Sequence, residues 1–193
     1  MKPTVYKRPN KPLSVPVPKR DHWDRLTITA PPAPIIVDAA TECHVTPPRL
    51  AERMAAMLGN LEGRDVLEPS AGTGNLARAA IHAGCSPARL TMIEMHNALS
   101  QAVRPLGTVH NCDFLEWATT CSNRFDAVLM NPPFRKHRAH ITAAAGLLKL
   151  AGMLVAIVPS TFEADGFNAV EHLPEDTFAA TAVRTKIVTH IAD

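Results

Sequence analysis

From residue 41 onward, short apolar runs alternate with segments whose apolar positions recur every three or four residues. That alternation is the signature of strands interleaved with helices. Thr46-Pro47-Pro48 opens the first helix: Thr46 is a candidate cap, and proline is tolerated in a first turn, where its missing N–H costs nothing. Leu50, Met54, Met57 and Leu58 follow at helical spacing, and Gly59 ends the segment. The pattern predicts strands over 65–68, 89–94, 108–112, 125–130 and 153–158, and two more within 177–191, the second over 185–191. Helices are predicted over 75–83, ended by Gly84, and over 138–150, where Ile141, Ala145 and Leu148 share a face. Gly152 separates the latter helix from a buried strand, and Asp165-Gly166 reads as a surface turn. The whole implies an α/β fold with a parallel, doubly wound sheet, whose ligand site lies at the carboxyl ends of the strands. Glu68, Glu94, Asp113 and Asn131 all stand at such ends.

Composition adds a division within the chain. Residues 1–34 carry eight prolines and little periodic hydrophobicity, and read as an extended, disordered arm; 35–193 read as one domain. The first 25 residues hold seven Lys/Arg against two Asp/Glu, net +5, whereas the remainder is net −3. An acidic body is not that of a protein that binds nucleic acid over its whole surface. The arm is either a solubilising tail or a basic segment that contacts phosphates. No run approaches the ~20 apolar residues of a membrane span, and the N-terminus has no signal-peptide core. Cys43, Cys85, Cys112 and Cys121 show no CxxC spacing, which argues for free thiols in a reducing cytoplasm and against zinc. The nine histidines likewise show no metal-ligand spacing, so no metal is expected.

Two segments carry the chemistry. Glu68-Pro69-Ser70-Ala71-Gly72-Thr73-Gly74 follows a predicted strand and reads as a glycine turn that lets backbone approach a nucleotide-like ligand. It lacks the further spacing of GxGxxG, and no Lys-Ser/Thr follows, so a phosphate-binding loop is disfavoured. Glu94, ending the next strand, suits the acceptance of two ribose hydroxyls. Asp113 and Phe114 suit an adenine, although Asp113 also reads as a simple cap before Leu115-Glu116-Trp117. Asn131-Pro132-Pro133-Phe134 begins 57 residues after Gly74. A proline pair cannot continue a strand ladder and stiffens the backbone, so the Asn131 side-chain oxygen and the Pro132 carbonyl can converge on one amino group. Two acceptors on an amine stabilise the positive charge that develops when its nitrogen attacks an electrophile. Phe134 suits stacking on a base taken out of its helix, or a plain core position after a turn. Arg135, Lys136 and Arg138 follow directly and suit flanking phosphates, or a solvated helix start.

In order, Thr46-Pro47-Pro48, Glu68 to Gly74, Glu94, Asp113-Phe114 and Asn131 to Phe134 resemble the motifs of adenine amino-methyltransferases of the class I S-adenosylmethionine-dependent fold, especially small phage- and plasmid-type members. The resemblance covers roughly residues 41–191. It implies a Rossmann-like, mostly parallel seven-stranded sheet whose last strand, about 183–191, runs antiparallel. It implies S-adenosylmethionine as cofactor, held by Thr46 and Pro47 at its methionine part, surrounded by Glu68, Pro69, Ser70, Ala71, Gly72 and Gly74, with Glu94 on the ribose and Asp113 and Phe114 at the adenine. Asn131, Pro132, Pro133 and Phe134 are the implied catalytic loop. The implied reaction is methylation of an exocyclic amine, adenine N6 in DNA before RNA. Site-specific relatives usually carry an added target-recognition domain, and nothing after Asp193 would form one, so a protein partner for target recognition is an open expectation. The same loop occurs in enzymes that methylate guanine amines of RNA and, with Tyr for Phe, glutamine side chains of proteins. A non-catalytic binding decoy is the alternative of another class, against which Gly72, Gly74, Glu94 and Asn131 all count. Oligomeric state is not legible.

Overall fold

A computed structural model of the chain describes residues 44–178 and 183–193. The proline-rich segment 1–34 expected as a basic arm, and Cys43, lie outside the described residues. The elements run α1 (Pro48–Met57), β1 (Val66–Glu68), α2 (Asn75–His82), β2 (Leu90–Ile93), α3 (Asn97–Val103), β3 (Thr108–His110), α4 (Phe114–Thr120), β4 (Phe125–Met130), α5 (His137–Ala145), β5 (Leu148–Pro159), β6 (Phe167–His172) and β7 (Thr185–Ile191). They form one seven-stranded sheet in the order β3-β2-β1-β4-β5-β7-β6. β1 to β5 are mutually parallel, and β7 runs antiparallel to both β5 and β6. The expected mostly parallel, doubly wound α/β fold with an antiparallel end is thus present. From β1 the chain steps outward to β2 and β3, then returns to β4 on the other side of β1. The strand order therefore reverses between β1 and β4, the place where open α/β sheets bind ligands.

Side chains of the central strands alternate between two cores, because successive Cβ atoms point to opposite faces. Val66, Leu129, Val155 and Ile187 join Leu50, Met54 and Leu76 of α1 and α2. Leu67, Val128, Met130, Leu154 and Val188 join Phe114 and Ile141 of α4 and α5. Strands buried on both faces read as near-continuous apolar runs, as β4 and the inner part of β5 do.

Four local expectations are corrected. The cap of α1 is Pro47 with no side-chain hydrogen bond, not Thr46. The residue before a proline is disfavoured in helical conformation, which keeps Thr46 and Pro47 out of the helix and moves the start to Pro48, the second proline of the pair. The helix expected over 138–150 ends at Ala145, and β5 begins at Leu148. There Lys149 Nζ reaches the Asp65 and Asp126 carboxylates, both at 2.8 Å, and Leu148 pairs with Phe125, which ties the segment to β4 rather than to a helix. β5 bulges before Met153, and a Cβ on Gly152 would sit 2.8 Å from the Lys149 carbonyl oxygen and 3.0 Å from that of Phe125, so only glycine fits the bulge. The first of the two C-terminal strands lies at Phe167–His172, ahead of the expected 177 start, and it follows the expected turn, where Gly166 has φ 76°. Finally, α3 between β2 and β3 was not anticipated; only Leu99, Ser100 and Val103 of it are buried.

Candidate active site

The glycine turn links the end of β1 to α2. Gly72 and Gly74 have φ of 53° and 77°, in the left-handed region that side chains disfavour. A Cβ on Gly74 would also lie 2.9 Å from both Leu106 and Val103 side chains. The turn is closed by the Gly74 N–H donating to the Ala71 carbonyl at 2.8 Å, and Ala71 in turn donates to the carbonyl of Ile93 at 3.0 Å. Beside it, the Glu94 carboxylate accepts from the Gly72 N–H and from the His96 N–H, each at 2.7 Å. Glu94 is therefore no freely solvated strand-end residue: it ties the loop after β2 to the glycine turn. Asn111 Nδ2 fixes the same loop from β3 by donating to the carbonyls of Glu94 and Met95, at 2.8 and 3.0 Å.

Glu68, the last residue of β1, is 1% exposed, and its Oε2 has no hydrogen-bond partner. Burial pushes its pKa well above the usual carboxylate range, and the neighbouring Glu94 charge adds to the push; the Ala77 N–H and Arg78 oppose it without prevailing. Burial thus favours the protonated carboxyl, and a cation beside it would pull in the opposite direction.

Asp113 commits one oxygen to capping α4, where Oδ1 accepts from Leu115 N–H at 2.7 Å and more weakly from Glu116 N–H at 3.3 Å. Phe114 is buried in the core beside His140, with ring centroids 5.4 Å apart. Of the two expected adenine contacts, the structure thus gives Asp113 a structural duty and Phe114 a packing one.

Asn131 stands directly after β4. Its Nδ2 donates to the His44 carbonyl at 3.0 Å and to Thr46 Oγ1 at 3.1 Å, while its Oδ1 is buried without a partner. A carbonyl cannot donate, so the His44 contact fixes which end of the amide is nitrogen. Both amide hydrogens are spent on anchoring, which leaves one preoriented acceptor. Thr46 is itself held by Asn75, the first residue of α2, whose Nδ2 donates to the Thr46 carbonyl at 2.8 Å. The expected cofactor segment and catalytic residue therefore meet across the molecule.

Phe134 is 7% exposed, packed face to face on His44 and edge-on against Phe178. His137 Nδ1 lies 2.6 Å from the Phe134 carbonyl oxygen and donates to it, pinning the loop to the start of α5. Arg135, Lys136 and Arg138 are exposed; Arg138 lies 5.1 Å over the Phe162 ring and donates to the Glu163 carbonyl at 3.0 Å. A groove of about 810 Å³ opens alongside, between Pro47, Arg49 and Arg53 of the α1 end and Glu171, Leu173 and Thr177. His44, Asn75, Asn111 and Phe178 are the site residues that sequence reasoning missed. The only local cues were a histidine two residues before Thr46 and an isolated aromatic in a polar stretch.

Chemically, an acceptor with no partner (Asn131 Oδ1), a buried carboxylate (Glu68) and a second carboxylate with lone pairs to spare (Glu94) surround a left-handed glycine turn. That donor and acceptor set suits a ligand carrying a cation and hydroxyls, next to a second ligand bearing N–H. Among the described residues no helix is long and apolar enough to cross a membrane.

No protein-family model and no curated protein matches the chain. Solved structures share its fold. The methyltransferase subunit of a type I restriction-modification system from Streptococcus thermophilus aligns with a TM-score of 0.67 at 18% identity, over 78% of this chain and 45% of that one. A 16S rRNA N2 methyltransferase of T. thermophilus, RsmC, solved with AdoMet and guanosine, aligns at 0.60 and 19%, over 77% and 44%. An Escherichia coli protein assigned as a methyltransferase, yhhF, aligns at 0.57 and 18%, over 75% and 84%. The chain thus spans just under half of the restriction-modification subunit and of RsmC.

Proposed function

We propose that this chain is an S-adenosylmethionine-dependent methyltransferase acting on an exocyclic amine, adenine N6 in DNA before any other. One observation carries the reading: the Asn131 amide is anchored through both hydrogens, and its oxygen is left buried, unpartnered and at the carboxyl end of β4. An unpaired buried acceptor costs about 1–3 kcal/mol, so its retention favours a ligand that supplies the missing N–H. The fold shared with a restriction-modification methyltransferase subunit and with an rRNA methyltransferase supports the same reading.

S-adenosylmethionine would supply a methyl group bonded to a positively charged sulfur. Around it, the glycine turn at Gly72 and Gly74 gives backbone access, Glu94 offers lone pairs to the ribose hydroxyls, and Glu68 meets the ammonium group. Thr46 and Pro47 border the methionine part, and Ser70 and Ala71 belong to the same turn. The target amine donates one N–H to Asn131 Oδ1 and the other to the Pro132 carbonyl. Its nitrogen is a poor nucleophile because its lone pair is delocalised into the ring, and the two acceptors stabilise the charge that builds as it attacks. Pro133 keeps the loop stiff. The excess proton leaves to water after transfer, so no side-chain base is needed.

The test is incubation of the full chain with methyl-labelled cofactor and, separately, adenine-containing duplex DNA, RNA and protein. Label recovered as N6-methyladenine in DNA is expected; label in RNA or protein would move the substrate, and label in none would favour a binding role. Asn131→Ala should lower transfer by a factor of roughly a hundred or more, as for loss of one preorganised polar group, with cofactor affinity little changed.

A further inference from the structure

We propose that Thr46 is a positioning residue that couples cofactor occupancy to the orientation of the Asn131 amide. The inference rests on the reading above, in which Asn131 Oδ1 receives the target amine. Thr46 is 6% exposed, and it does not cap α1, which starts after Pro47. Its hydroxyl oxygen is instead the acceptor for one Asn131 hydrogen, at 3.1 Å, across 85 residues of chain. A hydroxyl has one donor besides its lone pairs, and that hydrogen forms no bond to any described residue. The residue's own carbonyl is tied at 2.8 Å to Asn75, which directly follows Gly74. Thr46 therefore lies between the glycine turn and the catalytic loop, with a main-chain bond to one and a side-chain bond to the other.

A hydroxyl that donates to an anion becomes a better acceptor, because hydrogen bonds in a chain polarise one another. A carboxylate at the glycine turn that accepts from Thr46 Oγ1 would strengthen the bond from Asn131 Nδ2. Oδ1 would then be held more firmly toward the target when the cofactor is in place. Without the hydroxyl, one amide hydrogen loses its partner, and only the His44 carbonyl restrains the group. The geometry thus makes the acceptor best oriented in the state that can react, and less so in the empty one.

The experiment reads the Asn131 side-chain amide directly, by its proton–nitrogen resonances in the full-length chain, assigned by their disappearance in Asn131→Asp. S-adenosylhomocysteine is the probe, since it keeps the carboxylate and transfers no methyl. In the parent chain both amide hydrogens should exchange slowly with water, and the pair should shift on addition of the probe. Thr46→Val keeps the shape and removes the hydroxyl. It should speed exchange of one hydrogen by about tenfold, the equivalent of one ordinary hydrogen bond, and abolish the probe-induced shift while calorimetry still detects binding. Thr46→Ser should restore both, and Thr46→Ala serves in place of the valine variant if that chain does not fold. Unaltered exchange and an unaltered shift in Thr46→Val would overturn the inference. If the parent does not bind the probe, the proposed function and the coupling fall together, whereas exchange in the ligand-free proteins still decides whether Thr46 positions Asn131.

Discussion

The imidazole of His44 lies flat on the ring of Phe134, with centroids 4.5 Å apart and planes 18° from parallel. Phe178 closes the edge of the pair at 5.9 Å from Phe134 and 6.1 Å from His44. The face of Phe134 that a target base would use is therefore already stacked. Nothing fits between rings this close, so base stacking requires the imidazole to swing aside. The bond from Asn131 goes to the carbonyl of His44 and not to its ring, so moving the imidazole leaves that bond in place.

His44→Ala should accordingly ease target entry while sparing the anchor of Asn131. An aromatic stack is worth about 0.5–1.5 kcal/mol, so KM for adenine-containing DNA should fall by roughly two- to tenfold at unchanged kcat. Steady-state kinetics of the two proteins decide the matter. A raised KM would mean that His44 is part of the surface that receives the base, not its stand-in.

Cofactor affinity should depend on Glu94 through the shape of the turn as well as through direct contact. The carboxylate accepts from Gly72 and His96 at once, and Glu94→Gln turns one of those acceptors into a donor facing an N–H. The expected loss is about 1.5–3 kcal/mol, the range for a charged acceptor, or roughly 10- to 150-fold in Kd for S-adenosylhomocysteine. The melting temperature should fall as well. Calorimetry with unchanged affinity would remove Glu94 from the site.

What the sequence reveals here follows from which forces are local. β4 and β7 are found within a residue because both lie inside the sheet, and their buried stretches are mostly apolar in β4 and β-branched in β7. β6 hides because it is an edge strand whose residues are mostly exposed, so no run or alternation marks it. The apolar Leu147, Leu148 and Leu150 continue the helical pattern of α5, and the break is imposed by Lys149 reaching Asp65, 84 residues away. The site divides in the same way. The glycine turn and the proline pair are written in adjacent residues, but the bond of Asn131 to Thr46 spans 85 and that to His44 spans 87, which no local pattern can carry.

The Lys149 cluster gives the fold an acid limit remote from the site. Hydrogen bonding to Lys149, with Arg89, holds Asp65 below the usual carboxylate range. Burial alone would raise Asp126, but its bonds to Lys149 and to the Asp65 N–H outweigh that, and it also lies low. Lys149 is raised by the same two partners, Asp126 first. Depressed carboxylates contribute stability above their unfolded pKa and lose it as pH falls through the folded one; the raised lysine loses its share above its ordinary range. The cluster should thus stabilise between roughly pH 4 and 10. Its side chains are about a third exposed, so solvent screening limits it to about 1 kcal/mol. Lys149→Met should lower the melting temperature at pH 7 and much less at pH 3. Equal losses at both would show that the packing of the lysine stem, not its charge, matters.

Glu68 should respond to pH in the opposite sense. Its pKa is raised, first by burial and then by Glu94. Below the ordinary glutamate range, near 4.3, folded and unfolded chains both hold the proton and nothing is lost. As pH rises, the unfolded chain ionises while the folded one does not. Stability then declines by up to about 1.4 kcal/mol per pH unit until the folded pKa is passed. Glu68→Gln cannot ionise and can still accept from the Ala77 N–H, so the variant should gain on the parent as pH rises above the ordinary glutamate range, until the folded pKa is passed. Melting curves across that range measure the gap, and parallel curves would show that the carboxyl titrates normally. S-adenosylhomocysteine adds a second readout through its ammonium group. A cation beside Glu68 repays ionisation, so at pH 8 the ligand should raise the melting temperature of the parent more than that of the variant, narrowing the gap. An equal rise in both would separate the two roles of Glu68, leaving its burial intact but removing it from the methionine end of the cofactor.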